Sequence, residues 1–301
     1  MKMELRDLEY FAVIAETGNI GRAAEKLELS QPALSLSLRR LERVANSKIV
    51  ARTPKGIELT PAGATLLRQI GKLRLMHDDV VREIDDVGRG NAGHLRVGVT
   101  VGSHEHMVAS AAAKLMNASP KVTLTATLDR ASILLRALRR GDLDFLITTA
   151  LSEAGSGIAQ EQVHMDHYVV YGGANHRLAR RRKVSVKELA NERWAFSEEL
   201  TGMPRFLLHW LADVGQPAAN VAVYSNSIAL RLTMIAESQL LGFASEQLIR
   251  RARRQYALSV IRVEGLDITR RSVVMYREGG YLPPVARRLV ELLKEESPEV
   301  D

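Results

Sequence analysis

At 301 residues, with 46% hydrophobic and 26% charged side chains, the chain is long enough for two domains with separate cores, and its composition is that of a soluble globular protein. Lys and Arg number 42 against 35 Asp and Glu, a formal net charge of +7 that favours a polyanionic partner. The lack of cysteine excludes disulfides, thiolate nucleophiles, zinc-thiolate sites and thiol redox sensing together.

The first ten residues scatter charges where the apolar core of a signal peptide would lie. No later apolar run approaches the ~18 residues a membrane span requires, so no membrane partner and a cytoplasmic location are expected. Leu5, Leu8, Phe11, Ala12 and Ala15 then repeat at helical spacing, and Gly18 follows where a left-handed residue would stop a helix. Ala23, Ala24 and Leu27 form a short second stripe, small on one side as a close helix neighbour requires, ending near Glu28. Ser30 stands before Gln31 and Pro32, a hydroxyl cap ahead of a proline whose missing N–H does no harm in a first helical turn. Leu34, Leu38 and Leu41 should face inward, leaving Gln31, Ser35, Leu36, Arg39, Arg40 and Arg43 largely outside.

Ile49, Val50 and residues 57–59 predict two short strands around a turn at Pro54, Lys55 and Gly56. Thr60 and Pro61 repeat the cap-then-proline signal, and a long helix is predicted to about Val87. Leu66, Ile70, Leu73, His77, Val80, Ile84 and Val87 step by four and three along it, a heptad seam. Such a seam packs within its own subunit or on a second copy; with no adjacent helix in the sequence to cover it, dimerisation is the preferred reading. His77 falls on the seam, where a buried, hydrogen-bonded histidine is expected.

Gly-Arg-Gly-Asn-Ala-Gly at 88–93 has the composition of a hinge. Its Gly-x-Gly-x-x-Gly spelling follows a helix and precedes a strand, the reverse of what phosphate binding needs. Strands are predicted at 95–99, 122–128, 145–147, 168–171, 221–224, 240–244 and 272–276, with helical stripes near 103–117, 131–140, 203–214, 226–237 and 283–296. Strands and helices in alternation predict largely parallel sheets covered by helices.

A short helix, a turn and a capped basic helix are what a major-groove reader requires, because the groove admits one helix whose first turn meets base edges. From Ser30 to Arg74 there are nine Lys or Arg against two Glu, a local excess of seven that equals the formal charge of the whole chain. The electrostatic footprint is therefore concentrated in this segment.

Residues 5–63 carry Leu-Arg-Asp-Leu-Glu-Tyr-Phe, Arg-Ala-Ala-Glu-Lys-Leu, Ser-Gln-Pro-Ala-Leu-Ser and Arg-Thr-Pro-Lys-Gly-Ile-Glu-Leu-Thr-Pro-Ala-Gly in order. In these motifs the chain resembles the LysR-type transcriptional regulator family. The resemblance implies an α+β architecture: an N-terminal winged helix-turn-helix at 1–60, a linker helix and hinge at 61–92, and an effector-binding and oligomerisation domain at 93–301. That last domain would have two α/β lobes similar to periplasmic binding proteins, one at 93–162 plus 269–301 and the other at 163–268. It implies Gln31, Pro32 and Ser35 as base-edge contacts, Arg52 and Thr53 near the wing as approaching phosphate, and Leu36, Arg39 and Lys55 as further DNA-binding residues. Leu36-Ser37 stands where members more often carry a basic or amide pair, and Asn46 replaces a usual glycine, so operator preference does not transfer.

The resemblance also implies a small-molecule effector between the lobes, near strand ends and helix starts where backbone N–H groups are free. Thr100, Ser103, Arg130, Ser132, Ser197 and Thr201 lie at such junctions. Phe243 joins them, although the Gly-x-Gly stretch usual around it is replaced by Ser-Gln-Leu-Leu-Gly-Phe-Ala-Ser. Implied partners are double-stranded operator DNA, the effector, further copies in a homodimer or homotetramer, and RNA polymerase.

No cofactor, metal or catalytic residue is expected. His104 and His106 diverge at a helix start, His164 and His167 lack a well-spaced carboxylate, and no nucleophile, base and orienter set can be assembled. The basic runs at 180–183 and 250–254 are expected as solvated helix ends or loops. The competing class is a ligand-independent DNA binder whose α/β portion serves only oligomerisation.

Overall fold

The computed structural model describes residues 3–54, 56–89, 93–102, 104–151, 155–197 and 203–295. Chain contacts divide it into two compact units, Met1–Asp85 and Asp86–Asp301.

In the first unit α1 (Leu5–Thr17) stops at Gly18, whose φ of 61° is left-handed and whose N–H reaches the Ile14 carbonyl. Asn19 Oδ1 accepts from the N–H groups of Gly21 and Arg22 to start α2 (Ile20–Lys26). Ser30 Oγ accepts from Ala33 N–H at 3.3 Å and starts α3 (Gln31–Val44) with Pro32 in its first turn. Asn46, just beyond α3, sits at φ 47°; asparagine tolerates this region better than most residues and so can stand in for a glycine. Strands β1 (Val50–Thr53) and β2 (Gly56–Leu59) pair antiparallel, and α4 (Pro61–Arg89) follows. One core gathers Phe11, Ile14, Leu34, Leu41 and Ile49 with Ile70, so the first turns of the long helix belong to this domain.

Thr60 ties that helix to the hairpin: its hydroxyl donates to the Lys48 carbonyl and accepts from Gly63 N–H. Gly63 lies so close to β1 that an added Cβ would stand 1.9 Å from the Ile49 carbonyl oxygen. The obstacle is backbone, so Gly63→Ala is expected to destabilise this unit by ~1–3 kcal/mol, read from urea unfolding of the full chain.

Two expectations for this unit are corrected. Arg40 does not simply project outward: it forks onto the buried Asp7, Nε at 3.0 Å and Nη2 at 2.6 Å, because a carboxylate buried on α1 requires a charged partner. His77 is not buried; its side chain is 76% exposed, with Nδ1 3.3 Å from Asp78, because in the single chain the seam it shares with Leu73, Val80, Ile84 and Val87 faces solvent.

The second unit opens with β3 (His94–Thr100), α5 (His104–Ala118), β4 (Thr123–Asp129), α6 (Ala131–Arg140) and β5 (Phe145–Thr149). Next come the 16-residue β6 (Ile158–Gly173), α7 (Val186–Leu189), β7 (Arg193–Phe196), α8 (Met203–Asp213), β8 (Asn220–Tyr224) and α9 (Ile228–Ala236). The chain closes with β9 (Leu240–Ser245), α10 (Glu246–Ala252), β10 (Leu258–Ile261), β11 (Ile268–Arg277) and α11 (Pro284–Glu295).

Among the described residues these strands form a nine-stranded sheet in the order β4-β3-β5-β11-β6-β9-β7-β8, with β10 paired to β6 off that path. The sheet is mixed rather than largely parallel. Pairs β3/β4, β3/β5, β7/β8 and β7/β9 are parallel, but every pairing made by β6 or β11 is antiparallel. These two strands carry the chain from one lobe to the other and back, so they must run against their neighbours.

Each lobe is a sheet covered on both faces. In the first, α5 and α11 pack around Val97, Phe145 and Val274, and α6 packs Leu134 and Leu138 on the far side. In the second, α8 packs Leu207 and Leu211 on Trp194 and Phe196, while α9 and α10 cover Tyr171 and Ala195. No helix among the described residues is long and apolar enough to cross a membrane.

Candidate nucleic-acid interface and inter-lobe cleft

Alternation along α3 sorts its side chains by periodicity. Leu34, Ser37, Leu38 and Leu41 are buried; Gln31, Pro32, Leu36 and Arg39 are exposed, and Ser35 is half-buried. The five α3 residues expected to bind DNA therefore share the outward face of one helix, four of them within its first six residues. The free backbone N–H groups and dipole of that helix start favour phosphate. Arg52 is exposed and Thr53 half-buried on β1, with the Thr53 hydroxyl donating to the Gly56 carbonyl at 3.3 Å. Lys55 lies outside the described residues.

What holds α3 in place was missed from the sequence. Asp7 is 2% exposed and accepts from Ser37 Oγ at 2.6 Å as well as from Arg40. The Arg40 hydrogen bonds, and then that of Ser37, hold the Asp7 carboxyl below its ordinary value against the opposing effect of burial. Position 7 carried no signal beyond a charge on an otherwise apolar helix face.

In the second unit the carboxyl ends of β5 and β9 lie against the crossing strands β11 and β6, with β3 next to β5 in one lobe and β7 and then β8 beyond β9 in the other. Ser272 of β11 lies opposite Thr149, Ser245 lies opposite Tyr168 of β6, and Ser225 N–H bonds the Phe196 carbonyl. Carboxyl ends of parallel strands are where α/β sheets take ligands.

Thr100 ends β3 opposite Asp129, which places it beside Arg130 and Ser132 at the start of α6. Arg130 and Ser132 are exposed, and Arg130 makes no side-chain cap. Ser197 is half-buried just past β7. Phe243 is 8% exposed in the second lobe's core, its ring centroid 5.7 Å from that of Tyr168. Ser103 and Thr201 lie outside the described residues. The structure thus groups Thr100, Arg130 and Ser132 on one lobe and puts Ser197 at the facing strand ends of the other, while Phe243 serves packing.

A polar chain missed from the sequence lies behind Thr100. The Thr100 hydroxyl donates to the Ile147 carbonyl at 3.2 Å, so His104 Nδ1–H donates to Thr100 Oγ1 at 2.9 Å, and His104 Nε2 accepts from Ser272 Oγ at 3.0 Å. Burial pushes the His104 pKa down to about 4, and burial also lowers that of His164, which accepts from the Gln247 amide at 3.0 Å. His104 was read only as a metal ligand to be set aside; its partner Ser272 is 168 positions away. Among the described residues no three His, Asp or Glu side chains gather as a metal site.

Below the ordinary histidine value of 6.5 the unfolded chain binds a proton at His104 that the folded chain refuses until about pH 4. Stability of this unit should therefore fall as pH drops from about 6.5 to about 4. His104→Gln is expected to flatten that slope by up to ~1.4 kcal/mol per pH unit, measured by urea unfolding across the interval, with His164 and His176, both also lowered by burial, contributing to the slope that remains.

The basic runs are partly paired: Arg181 reaches Glu188 at 3.0 Å and Arg250 reaches Glu246 at 3.6 Å. Arg181, Arg182, Lys183 and Arg262 line an open surface depression.

Comparison with known proteins places this architecture. Residues 5–64 match the bacterial regulatory helix-turn-helix protein, lysR family, and residues 88–298 match the LysR substrate binding domain. The chain belongs to the LysR family of DNA-binding transcriptional regulators.

It is 25% identical over 247 residues to the HTH-type transcriptional regulator XapR of Escherichia coli, covering 79% of this chain and 83% of XapR. It is 35% identical over 147 residues to ClcR of Pseudomonas putida, covering 47% and 48% of the two chains. Full-length CbnR complexed with its target DNA superposes with a TM-score of 0.56 at 18% identity, over 97% of this chain and 99% of CbnR. A full-length OxyR variant from Pseudomonas aeruginosa superposes at 0.58 with 21% identity, over 97% and 100%. The relatives named are regulators rather than enzymes.

Proposed function

We propose that the protein reads an operator by laying the amino-terminal end of α3 in the major groove. Gln31 pairs with adenine, Ser35 takes either donor or acceptor edges, and Pro32 and the half-exposed Leu36 meet apolar groups such as a thymine methyl. Arg39, and Arg52 and Thr53 of the wing with Lys55, hold the phosphates on either side. The observation that carries this reading is the grouping of these α3 side chains on one exposed face at a proline-led, Ser30-capped helix start.

A small-molecule effector sits where the two lobes meet, near Thr100, Arg130, Ser132 and Ser197, with Ser103 and Thr201 completing the set. The apolar seam of α4, exposed from Leu73 to Val87, pairs with a second copy, giving a homodimer or homotetramer that works beside the chromosome in the cytoplasm. Effector binding changes the angle between lobes, re-spacing the DNA-binding pairs, and RNA polymerase is the partner that this repositioning serves.

The test is binding of the purified protein to promoter DNA adjoining its own gene at rising salt. A sequence-selective complex that weakens steeply with salt is expected; binding that is equal on all DNA at every salt concentration would overturn the reading.

A further inference from the structure

The first and second lobes are bridged by one arginine that has no counter-charge among the described residues. Arg270 lies on β11 within the crossing segment, in register with Asp166 of β6. From there its Nη2 reaches the Ala150 carbonyl of the first lobe at 3.4 Å, and its guanidinium carbon lies 3.8 Å over the Phe206 ring on α8 of the second. Its Nε is buried without an acceptor, and no carboxylate among the described residues forms an ion pair with it. Burial pulls its pKa down; Tyr168 opposes that shift, and a second cation, Arg271, adds to it.

A guanidinium has five N–H donors, and this one uses a single long bond to a neutral carbonyl. Half-burying a charge without compensation is costly, and folded proteins relieve it with a partner of opposite sign. The side chain cannot relieve it by losing its proton, since arginine remains charged in proteins. Phe206 holds the plane of the guanidinium against its ring, which fixes the fork that a planar acid would meet.

We infer that Arg270 anchors the effector, and that the effector is therefore a small carboxylate whose two oxygens take the guanidinium's terminal N–H groups. This rests on the reading of an effector site between the lobes. Arg270 then does what Arg130 does not: Arg130 is exposed at a helix start on one lobe, whereas Arg270 touches both. A bound carboxylate would neutralise the cation at the place where the lobes meet, so its binding energy bears directly on the angle between them.

The test is thermal-shift titration of the full-length protein with a panel of aliphatic and aromatic carboxylates, each beside its neutral amide. Variants Arg270→Gln, Arg270→Met and Thr100→Val are run in parallel. At least one acid is expected to raise the melting temperature while its amide does not, and Arg270→Gln to weaken that acid ~10–100-fold, as loss of a charged hydrogen-bonded partner does. In buffer without the acid, Arg270→Met is expected to melt within ~2 °C of the parent or above it, because an uncompensated charge has been removed. A fall of more than ~4 °C would show that a carboxylate of the chain already pairs with Arg270, and would overturn the inference.

Amides that bind as well as acids, losing affinity in Thr100→Val but not in Arg270→Gln, would overturn the inference while leaving the inter-lobe site standing. No ligand in the panel at all would likewise overturn the inference alone, whereas ligands indifferent to both substitutions would remove the inter-lobe reading and the inference together.

Discussion

A chain carrying Gln31→Ala and Ser35→Ala is expected to bind its operator at least ~30-fold more weakly while binding unrelated DNA as before, since each base-edge contact contributes ~1–3 kcal/mol of discrimination. Neither side chain is charged, so the slope of log affinity against log salt should not change. Neither is buried, and Ser30, which caps the helix, is untouched, so the folded state should persist. Arg39→Ala is the informative contrast: it should weaken every DNA sequence alike and reduce the salt slope by ~1. Fluorescence anisotropy with operator and scrambled duplexes across a salt series separates the two patterns.

The second large effect is expected at Asp7, which touches no DNA in this account. Asp7→Ala leaves Arg40 without its forked acceptor and Ser37 without its partner at the α1–α3 contact. Arg40 is 37% exposed and regains water, so the loss is set at ~2–3 kcal/mol rather than that of a fully buried pair. Against a domain stability of ~5–10 kcal/mol this is a large fraction, and operator affinity should fall with it. The pH dependence identifies the cause. Because the folded-state Asp7 pKa is lowered, its contribution is present above the ordinary carboxylate value of 3.8 and disappears as pH falls through the lower folded value. The parent and Asp7→Ala should therefore converge in stability under acid; a constant gap would mean that lost packing, not the ion pair, is responsible.

Much of this molecule was legible before folding because its signals are local. Ser30 with Pro32, Thr60 with Pro61, and Gly18 mark helix ends through the chemistry of a single turn, and each lies where such a turn occurs. The helical stripe expected near 131–140 coincides with α6.

Long-range pairings were not legible. Residues 158–164 mix Gln, Glu and His with apolar positions and give no strand signal, yet they pair with β11 because a crossing strand borrows its order from neighbours more than 100 positions away. The same holds for β7 and β10, four residues each, too short to show a period. In the site, the outward face of α3 followed from helical periodicity, but Arg40 was placed on it because nothing in residues 31–44 reveals that Asp7 waits 33 positions earlier. His104 with Ser272, and Arg270 with Phe206 and Ala150, are likewise products of topology, assembled only when the two crossing strands bring both lobes to one line.

The absence of cysteine allows the central claim to be tested by a single engineered thiol. Ser35→Cys carrying an iron chelate should cleave operator DNA in two clusters, each within a major groove and separated by one helical turn of ~34 Å or a multiple of it. Cleavage spread evenly along the duplex, or confined to its minor groove, would show that the start of α3 does not enter the major groove and would contradict the account.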